Sequence, residues 1–320
     1  MTFKKWLRGG LAATAGSVFL AGAATAGAPM VKTPAPGFHR MLLGEFEITA
    51  LSDGTAALPM TKLLTNITPA KAEKLLARWK LKDPVETSVN AYLVNTGAKL
   101  VLVDAGAAGL FGPTLGKLLA NLRAAGYLPE QVDAVLITHM HPDHVGGLMA
   151  GDKLAFPNAT VHADKHDAEF WLSEANMAKA PKDGQDFFRG AMASIKPYLA
   201  AGRFKTFDGD TEIAPGVLAK ASRGHTAGHS TYIIQSQGQK LVLWGDLLHV
   251  AAVQFAEPSV TIRFDTDAKA AAVQRKKAFA EAAKEGYWVA AAHLPFPGIG
   301  QLRTEGKGYA WIPANYSPMR

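Results

Sequence analysis

The distribution of apolar and polar residues predicts a chain in which strands alternate with helices. The predicted strands lie at 37–54, ending in a turn, at 91–106 and 231–248 as hairpins, and at 132–137, 159–163 and 287–294. Apolar residues at helical spacing predict helices at 63–82, 113–126, 165–176, 185–200 and 267–285. This alternation, together with the hairpins, is typical of a layered α/β fold.

The two predicted hairpins have similar sequences. One reads Y-L-V-N-T-G-A-K-L-V-L-V-D at 92–104, and the other reads Y-I-I-Q-S-Q-G-Q-K-L-V-L-W-G-D at 232–246. In each, an L-V-L strand runs into an aspartate. A weak internal repeat of this kind indicates two similar halves, each a sheet with helices on its outer side. Chance similarity between two hairpins is the alternative.

The first 26 residues differ from the rest of the chain. Three basic residues precede a short apolar stretch at 11–23, and an A-T-A motif follows at 24–26. This pattern predicts a signal peptide at 1–26 and export to a bacterial periplasm, by the general secretory route because a twin-arginine pair is missing. A membrane anchor or a plain disordered leader is the alternative. Residues 27–320 contain no Pro/Gly/Ser-rich linker, so we expect a single domain. They also contain no stretch that is long and apolar enough to span a membrane.

Composition narrows the function classes. Hydrophobic residues make up 48% of the 320 positions, which is typical of a globular protein. The net charge is +7, and the basic residues after the leader are scattered among acids, which argues against nucleic-acid binding. The chain has no cysteine, so a metal site must use histidines and carboxylates.

The strongest candidate for chemistry is the stretch T-H-M-H-P-D-H-V-G-G at 138–147, directly after a predicted strand. His139 and His141 are two positions apart, so in extended backbone they project to the same side and can bind one ion. After the proline, Asp143 and His144 point elsewhere and can bind a second ion. The two glycines let backbone pass close to this site.

Two ions need more ligands than this stretch supplies. His225 lies in R-G-H-T-A-G-H-S, Asp246 ends the strand L-V-L-W-G-D, and His293 ends the strand Y-W-V-A-A-A-H. All three lie at the carboxyl ends of apolar strands or in the loops beyond, where the sites of α/β proteins gather. The histidines at 39, 162 and 166 lack this setting and are interpreted as ordinary polar residues.

The order H-x-H-x-D-H, G-H-T, G-D and a strand-terminal histidine resembles the metallo-β-lactamase fold of binuclear hydrolases, an αββα sandwich of two similar halves. The resemblance implies one ion held by His139, His141 and His225, a second held by Asp143, His144 and His293, and Asp246 bridging the two. It also implies that Asp104 and His229 lie behind the ligands and orient them. The implied cofactors are two divalent ions, zinc first, with manganese, cobalt or iron as alternatives.

Motifs across the whole mature chain, among them G-L-F-G-P-T-L-G, A-A-V-Q-F and F-P-G-I-G, resemble the methyl parathion hydrolase group and its dihydrocoumarin-type lactonase and arylesterase relatives. The resemblance implies hydrolysis by a hydroxide that bridges the two metals, with Asp246 as a catalytic residue. His249, which departs from the group, is a further catalytic candidate. The resemblance also implies a homodimer. The expected partner is a small aryl lactone, aryl ester or organophosphate, and not a nucleic acid or a membrane.

The same resemblance implies an aromatic wall for the substrate pocket. Phe111, Trp171 and Phe187 match this wall, which suits a flat aryl group, and core packing is the alternative reading of these side chains.

Departures from the group concentrate near the metals. Leu63 stands in place of arginine, Phe264 in place of leucine, and His249 in place of leucine. Because the bulkier His249 and Phe264 narrow the pocket, they favour a planar aryl lactone or aryl ester over a tetrahedral phosphotriester. His249 is also a candidate to hydrogen-bond a substrate oxygen or carry a proton, or else it packs at the rim. An organophosphate triesterase, an acyl-homoserine lactonase and a non-catalytic metal-binding protein remain as alternatives.

Overall fold

The computed structural model describes residues 28–317. The predicted signal peptide at 1–26 lies outside these residues. Residues 28–35 contain no helix or strand, and the chain from Pro36 onwards forms one compact unit. Within the described range, every helix is too short or too polar to cross a bilayer.

The compact unit contains eighteen strands and nine α-helices among the described residues. The strands are β1 Phe38–Leu43, β2 Phe46–Leu58, β3 Leu64–Thr65, β4 Val85–Asn95, β5 Leu100–Val103, β6 Ala134–Leu136, β7 Met149–Ala150, β8 Lys153–Leu154, β9 Thr160–Asp164, β10 Phe204–Phe207, β11 Thr211–Ala214, β12 Val217–Ala221, β13 Ser230–Ser236, β14 Gln239–Leu243, β15 Thr261–Ile262, β16 Trp288–Ala290, β17 Ile299–Glu305 and β18 Gly308–Pro313. The helices are α1 Met60–Leu63, α2 Pro69–Arg78, α3 Leu118–Ala124, α4 Pro142–Val145, α5 Lys165–Trp171, α6 Glu174–Lys179, α7 Gln185–Ala200, α8 Ala251–Gln254 and α9 Ala268–Glu285.

Two seven-stranded sheets form the centre of the fold. The first has the order β1-β2-β4-β5-β6-β9-β10, and the second has the order β11-β12-β13-β14-β16-β17-β18. Alternate residues of the central strands face the partner sheet, because side chains in a strand point to opposite faces in turn. Val101 and Val103 of the first sheet and Leu241 and Leu243 of the second lie in this shared core.

The outer faces of both sheets are covered by helices. On the first sheet, Leu122 of α3 and Ile195 of α7 pack in one core with Leu102 of β5. On the second, Phe279 of α9 packs in another core with Val242 of β14. The layers therefore run helix, sheet, sheet, helix, which confirms the predicted αββα sandwich.

The two similar hairpins occupy equivalent places. They are β4–β5 in the first sheet and β13–β14 in the second, and both are antiparallel. Tyr92 pairs with Val103, and Tyr232 pairs with Leu243, so the two tyrosines have matching registers. Both tyrosines lie in the core between the sheets. This agrees with the expectation of two similar halves.

Glycines account for two wrong element predictions. The helix predicted at 113–126 begins only at Leu118, because Gly116 has a φ of +84°, which no helix accommodates. The turn predicted at the end of 37–54 is a bulge, because β2 continues to Leu58 with a register shift between Ser52 and Gly54.

Strand pairing and helix caps account for two more wrong element predictions. The helix predicted at 63–82 is interrupted at β3, which pairs with β15, and α2 starts after Thr68, whose side chain accepts a hydrogen bond from the Lys71 amide. The helix predicted at 165–176 is two helices, because the Ser173 side chain caps α6. The helices predicted at 185–200 and 267–285 match α7 and α9 closely.

Candidate metal centre

Seven buried ligand-type side chains meet at the carboxyl ends of the central strands. They follow β6, β12, β14 and β16, so residues distant in sequence lie together at one end of the sandwich. They are His139, His141, Asp143, His144, His225, Asp246 and His293. The structure thus brings together every side chain that the sequence predicted as a metal ligand.

The first group consists of His139, His141, His225 and Asp246. Nε2 of His225 lies 3.2 Å from Nε2 of His139 and 3.1 Å from Nδ1 of His141. It also lies 3.3 Å from Oδ2 of Asp246. One ligand atom from each of the four side chains falls within 4.8 Å of the others. Three imidazole nitrogens and a carboxylate oxygen that converge in this way fit a zinc-type ion.

The second group consists of Asp143, His144 and His293, next to Asp246. Oδ2 of Asp143 lies 3.6 Å from Nε2 of His144 and 3.5 Å from Nε2 of His293. Oδ1 of Asp246 lies 3.2 Å from Nε2 of His144, and its Oδ2 lies 3.1 Å from Nε2 of His293. The Asp246 carboxylate therefore contacts both groups.

Asp104 and His229 lie where they can orient these side chains. Oδ2 of Asp104 is 2.8 Å from Nδ1 of His144 and accepts a hydrogen bond from Oγ1 of Thr138 at 2.8 Å. Nε2 of His229 accepts a hydrogen bond from the Asp246 amide at 3.1 Å, while its Nδ1 lies 3.1 Å from the Ser222 carbonyl oxygen. Both contacts fix a ligand side chain or its backbone.

Sequence reasoning missed further supports. Oδ1 of Asp265 lies 2.8 Å from Nδ1 of His225, and the Ser88 carbonyl oxygen lies 2.8 Å from Nδ1 of His293. These contacts leave each Nε2 free to face the cluster. Asp265 and His225 are 40 positions apart, and Ser88 and His293 are 205 apart, so no local motif identifies them.

Asp167 of α5 ties two of the site loops together. It accepts hydrogen bonds from the Met140 amide at 2.9 Å and from the Gly228 amide at 2.6 Å. Burial raises the pKa of its carboxyl group to about 6, although these hydrogen bonds lower the pKa in part. The loop that carries His139 and the loop that carries His225 are thus held by one buried side chain.

The electrostatics of the cluster follow from burial and close charges. Burial lowers the pKa values of His139 and His141 well below the ordinary value, with neighbouring imidazoles adding to the effect. Burial also opposes protonation of His225, but Asp246 and Asp265 outweigh it and raise its pKa to about 9. Despite burial, the surrounding histidines hold the pKa of Asp246 well below its usual range.

Unsatisfied polar atoms indicate that the cluster fits bound cations. Nε2 of His144 and Oδ1 of Asp246 are buried and make no hydrogen bond within residues 28–317. Leaving such atoms unpaired costs free energy, and a metal ion between them removes that cost. The set of imidazole nitrogens and carboxylate oxygens suits zinc and related divalent ions. The residues therefore fit the pair of metal ions that the sequence predicted.

The predicted substrate-binding residues line two neighbouring cavities, and His141 borders both. An inner cavity of 20 Å³, about the room of one water molecule, touches Phe111, Phe187, His249 and Phe264. An outer groove of 660 Å³ touches Leu63, Trp171, Phe187 and Phe264. The rings of Phe187 and Phe264 have centroids 6.3 Å apart and lie between the two spaces.

His249 is buried beside the ligand cluster. Its Nε2 lies 3.1 Å from Oδ2 of Asp246, and its ring lies 5.1 Å from the His293 ring, with 23° between the planes. Burial lowers its pKa to about 4, although Asp246 opposes the shift. The imidazole is therefore neutral at neutral pH.

A further group of ligand-type side chains lies away from this centre. It consists of Asp164, His166 and Asp208. Asp208 is already paired with Lys165 at 2.6 Å and with Arg223 at 3.3 Å. These cations compete with a metal ion, and we interpret this group as a surface network of ion pairs.

The αββα sandwich carries two groups of histidine and aspartate side chains at its strand ends. This combination of fold and site is the one that the sequence motifs predicted. The chain belongs to the metallo-beta-lactamase superfamily, whose family model matches residues 84–288.

Comparisons with individual proteins agree with this assignment. The crystal structure of AbOPH, a hydrolase of the beta lactamase superfamily, is 41% identical, with a TM-score of 0.84, covering 89% of this chain and 100% of that one. AidC, a dizinc quorum-quenching lactonase, is 28% identical, with a TM-score of 0.81, covering 88% of this chain and 99% of AidC. An N-acyl homoserine lactonase from Bacillus sp is 27% identical, and the match covers 50% of this chain and 63% of the lactonase.

Proposed function

We propose that this protein is a two-metal hydrolase that acts on aryl lactones and aryl esters. The observation that carries the proposal is the set of aromatic rings against the ligand cluster. The rings of Phe187 and Trp171 lie 5.0 Å and 5.1 Å from the ring of His141. Phe264 adds a third ring, 5.9 Å from that of His249. A flat aryl group beside these faces gains both apolar burial and ring–ring contact.

Two divalent ions, when bound, supply a water molecule of lowered pKa and a Lewis acid for the substrate's carbonyl oxygen. The chain's own residues hold this arrangement in place. Asp246 lies between the two groups, and Asp104 and Asp265 fix the imidazoles of His144 and His225. A phenolate leaving group is weakly basic, so the site needs no strong general acid.

Acyl-homoserine lactone hydrolysis is the second candidate. AidC and the Bacillus enzyme are named as lactonases of this kind, which supports a lactone substrate. The outer groove also offers apolar walls, including Leu63, Phe170 and Phe188, that can accept an acyl chain. Attack on the lactone carbonyl at the ligand cluster is the same for both lactone types, whereas the leaving oxygen is a phenolate in the aryl lactone and a more basic alkoxide in the acyl-homoserine lactone.

We expect phosphotriester hydrolysis to be weak. A phosphotriester is tetrahedral at its reacting atom and needs more room than a planar lactone carbonyl. His249 and Phe264 line the inner cavity beside the ligand cluster, and their side chains narrow the space around the reacting atom. The match to AbOPH, a hydrolase, leaves the choice of substrate to such pocket residues.

A substrate panel on the metal-loaded enzyme tests the proposal. It compares dihydrocoumarin, a phenyl ester, an acyl-homoserine lactone and methyl parathion by kcat/KM. We expect the aryl lactone and aryl ester to be the best substrates and methyl parathion the poorest. A higher kcat/KM for methyl parathion would refute the preference, and a higher value for the acyl-homoserine lactone would support the second candidate instead.

We also propose export to the periplasm, on the basis of the leader sequence at 1–26. Mass spectrometry of the protein from fractionated cells tests this, with a mature chain starting at Gly27 in the periplasmic fraction as the expected result. An intact N-terminus in the cytoplasmic fraction would contradict it.

A further inference from the structure

His249 is a ligand-type side chain that the seven-residue set leaves unused. It is only 3% exposed, and among the described residues neither ring nitrogen has a hydrogen-bond partner. The 3.1 Å approach of its Nε2 to Oδ2 of Asp246 is close but is not aligned as a hydrogen bond. A buried imidazole without a partner costs free energy, so a group from outside the chain is expected to satisfy it.

The position of the ring indicates what that group is. Nε2 of His249 and Nε2 of His293 lie at the same distance, 3.1 Å, from the same oxygen of Asp246. One ligand atom from each of these three side chains falls within 4.8 Å of the other two. This is the spacing of side chains that share one metal ion.

The backbone of His249 is fixed in this position. Oε1 of Gln254 accepts hydrogen bonds from the amides of His249 and Val250 at 2.7 Å and 3.1 Å. Nε2 of Gln254 donates to the Val260 carbonyl oxygen at 3.1 Å, and Gln254 itself is fully buried. The imidazole is therefore held beside Asp246 by a buried support, as side chains of metal centres are.

We propose that His249 is an additional metal ligand, acting through Nε2 on the ion held by Asp143, His144 and His293. The inference rests on the proposed two-ion centre and is independent of which substrate the enzyme hydrolyses. An extra imidazole strengthens binding of that ion, and it occupies a coordination position that water or substrate would otherwise take.

The test replaces His249 with leucine and measures Zn²⁺ binding by competition with a chromophoric chelator. Leucine removes the nitrogens and keeps an apolar side chain of similar size, so the metal-free protein should remain folded. We expect the ion held by Asp143, His144 and His293 to bind about tenfold less tightly or worse, since changes to groups that only orient a ligand already cost that much. The ion held by His139, His141 and His225 should keep its wild-type affinity.

Phe264→Leu is the matched control, because it alters the packing against the His249 ring without removing a nitrogen. This variant should bind both ions as the wild type does. The visible absorption of Co²⁺-loaded protein gives a second readout. His249→Leu should change the spectrum of the second ion, and Phe264→Leu should not. Neither readout depends on catalysis.

Wild-type Zn²⁺ affinity and an unchanged Co²⁺ spectrum in His249→Leu would overturn the proposal. A raised KM alongside them would make His249 a substrate contact only. Should circular dichroism show His249→Leu to be unfolded, His249→Gln replaces it, because an amide oxygen is a poorer zinc ligand than imidazole. Full affinity in that variant would equally overturn the proposal. If the wild type binds fewer than two ions, the proposed centre itself fails, which is a separate result.

Discussion

Asp246 is the side chain on which the proposed centre depends most. Its carboxylate lies within 3.6 Å of nitrogens from both ligand groups, including His139, His144, His225 and His293. Its amide is held by His229, and Gly245 before it has a left-handed φ of +55°. Removal of this carboxylate leaves several buried imidazoles without a shared anion.

We predict that Asp246→Ala abolishes turnover of every substrate and lowers the bound metal below two ions per chain. The reason is that one side chain supplies an oxygen to each group. Steady-state kinetics and elemental analysis of the purified variant measure both effects. His141→Ala should behave in the same way for the first group, and retained activity in either variant would contradict the two-ion centre.

At Asp265 we predict a smaller effect of the same kind. Asp265→Asn weakens the support at Nδ1 of His225, so metal affinity or activity should fall about 10–100-fold. Asp186→Asn, at an exposed carboxylate on α7, is the control and should be unchanged. Chelator competition measures the affinity, and equal affinity in both variants would show that Asp265 does not support the site.

At the scale of elements, the site depends on how closely α4 and the turn after it approach the end of β5. The His144 carbonyl oxygen accepts a hydrogen bond from the Ala105 amide at 2.8 Å. A Cβ atom on Gly147 would lie 1.9 Å from the Ala105 carbonyl oxygen, and one on Gly146 would lie 2.1 Å from that of Ala107. Only glycine permits this approach.

Gly147→Ala should therefore lower the free energy of unfolding by about 1–3 kcal/mol and weaken metal binding through His144. Denaturant unfolding and metal analysis measure the two effects. Gly109→Ala is the control, because a Cβ there has no heavy atom within 4 Å. Equal stability of the two variants would mean that the loop can shift without cost.

The predictability of the elements follows from their length and pattern. The long helices α7 and α9 and the two hairpins could be predicted because their periodic patterns extend over many residues. The start of α3 could not, because Gly116 interrupts the apolar spacing with a positive φ. The interruption at β3 depends on pairing with β15, almost 200 positions away, and no local pattern records it.

The candidate site also has parts that the local sequence predicts and parts that depend on distant contacts. The stretch at 138–147 and the strand-terminal positions of Asp246 and His293 were predictable, because adjacent residues and strand ends determine them. The supports at Asp265 and the Ser88 carbonyl were not, because they arise from contacts between distant loops.

At the scale of the whole molecule, the buried histidines make stability depend on pH. Burial lowers the pKa of His229 to about 3 and that of His249 to about 4, and it lowers those of His139 and His141 as well. Unfolded histidine titrates near 6.5. As the pH falls below about 6.5, the unfolded metal-free chain binds protons that the fold excludes, so stability is lost. Burial raises the pKa of Asp167 to about 6 and also raises that of Asp53, and these two carboxyl groups act in the opposite sense but are outnumbered by the four histidines.

Above this pH the sign reverses. His225 has its pKa raised to about 9, so the folded metal-free protein holds a proton that the unfolded chain has lost, and that stability disappears as the pH rises through about 9. We predict a stability maximum near pH 6.5 for the metal-free protein, measured by urea unfolding across a pH series. Stability that rises steadily to about pH 9 would contradict it.

Whether the protein is a two-metal hydrolase can be measured by metal titration into chelator-stripped protein, with dihydrocoumarin hydrolysis followed at each addition. We predict no turnover without metal, and activity that rises with metal binding and reaches its plateau at two Zn²⁺ ions per chain. Turnover that survives complete removal of metal, or a plateau at one ion per chain, would contradict it.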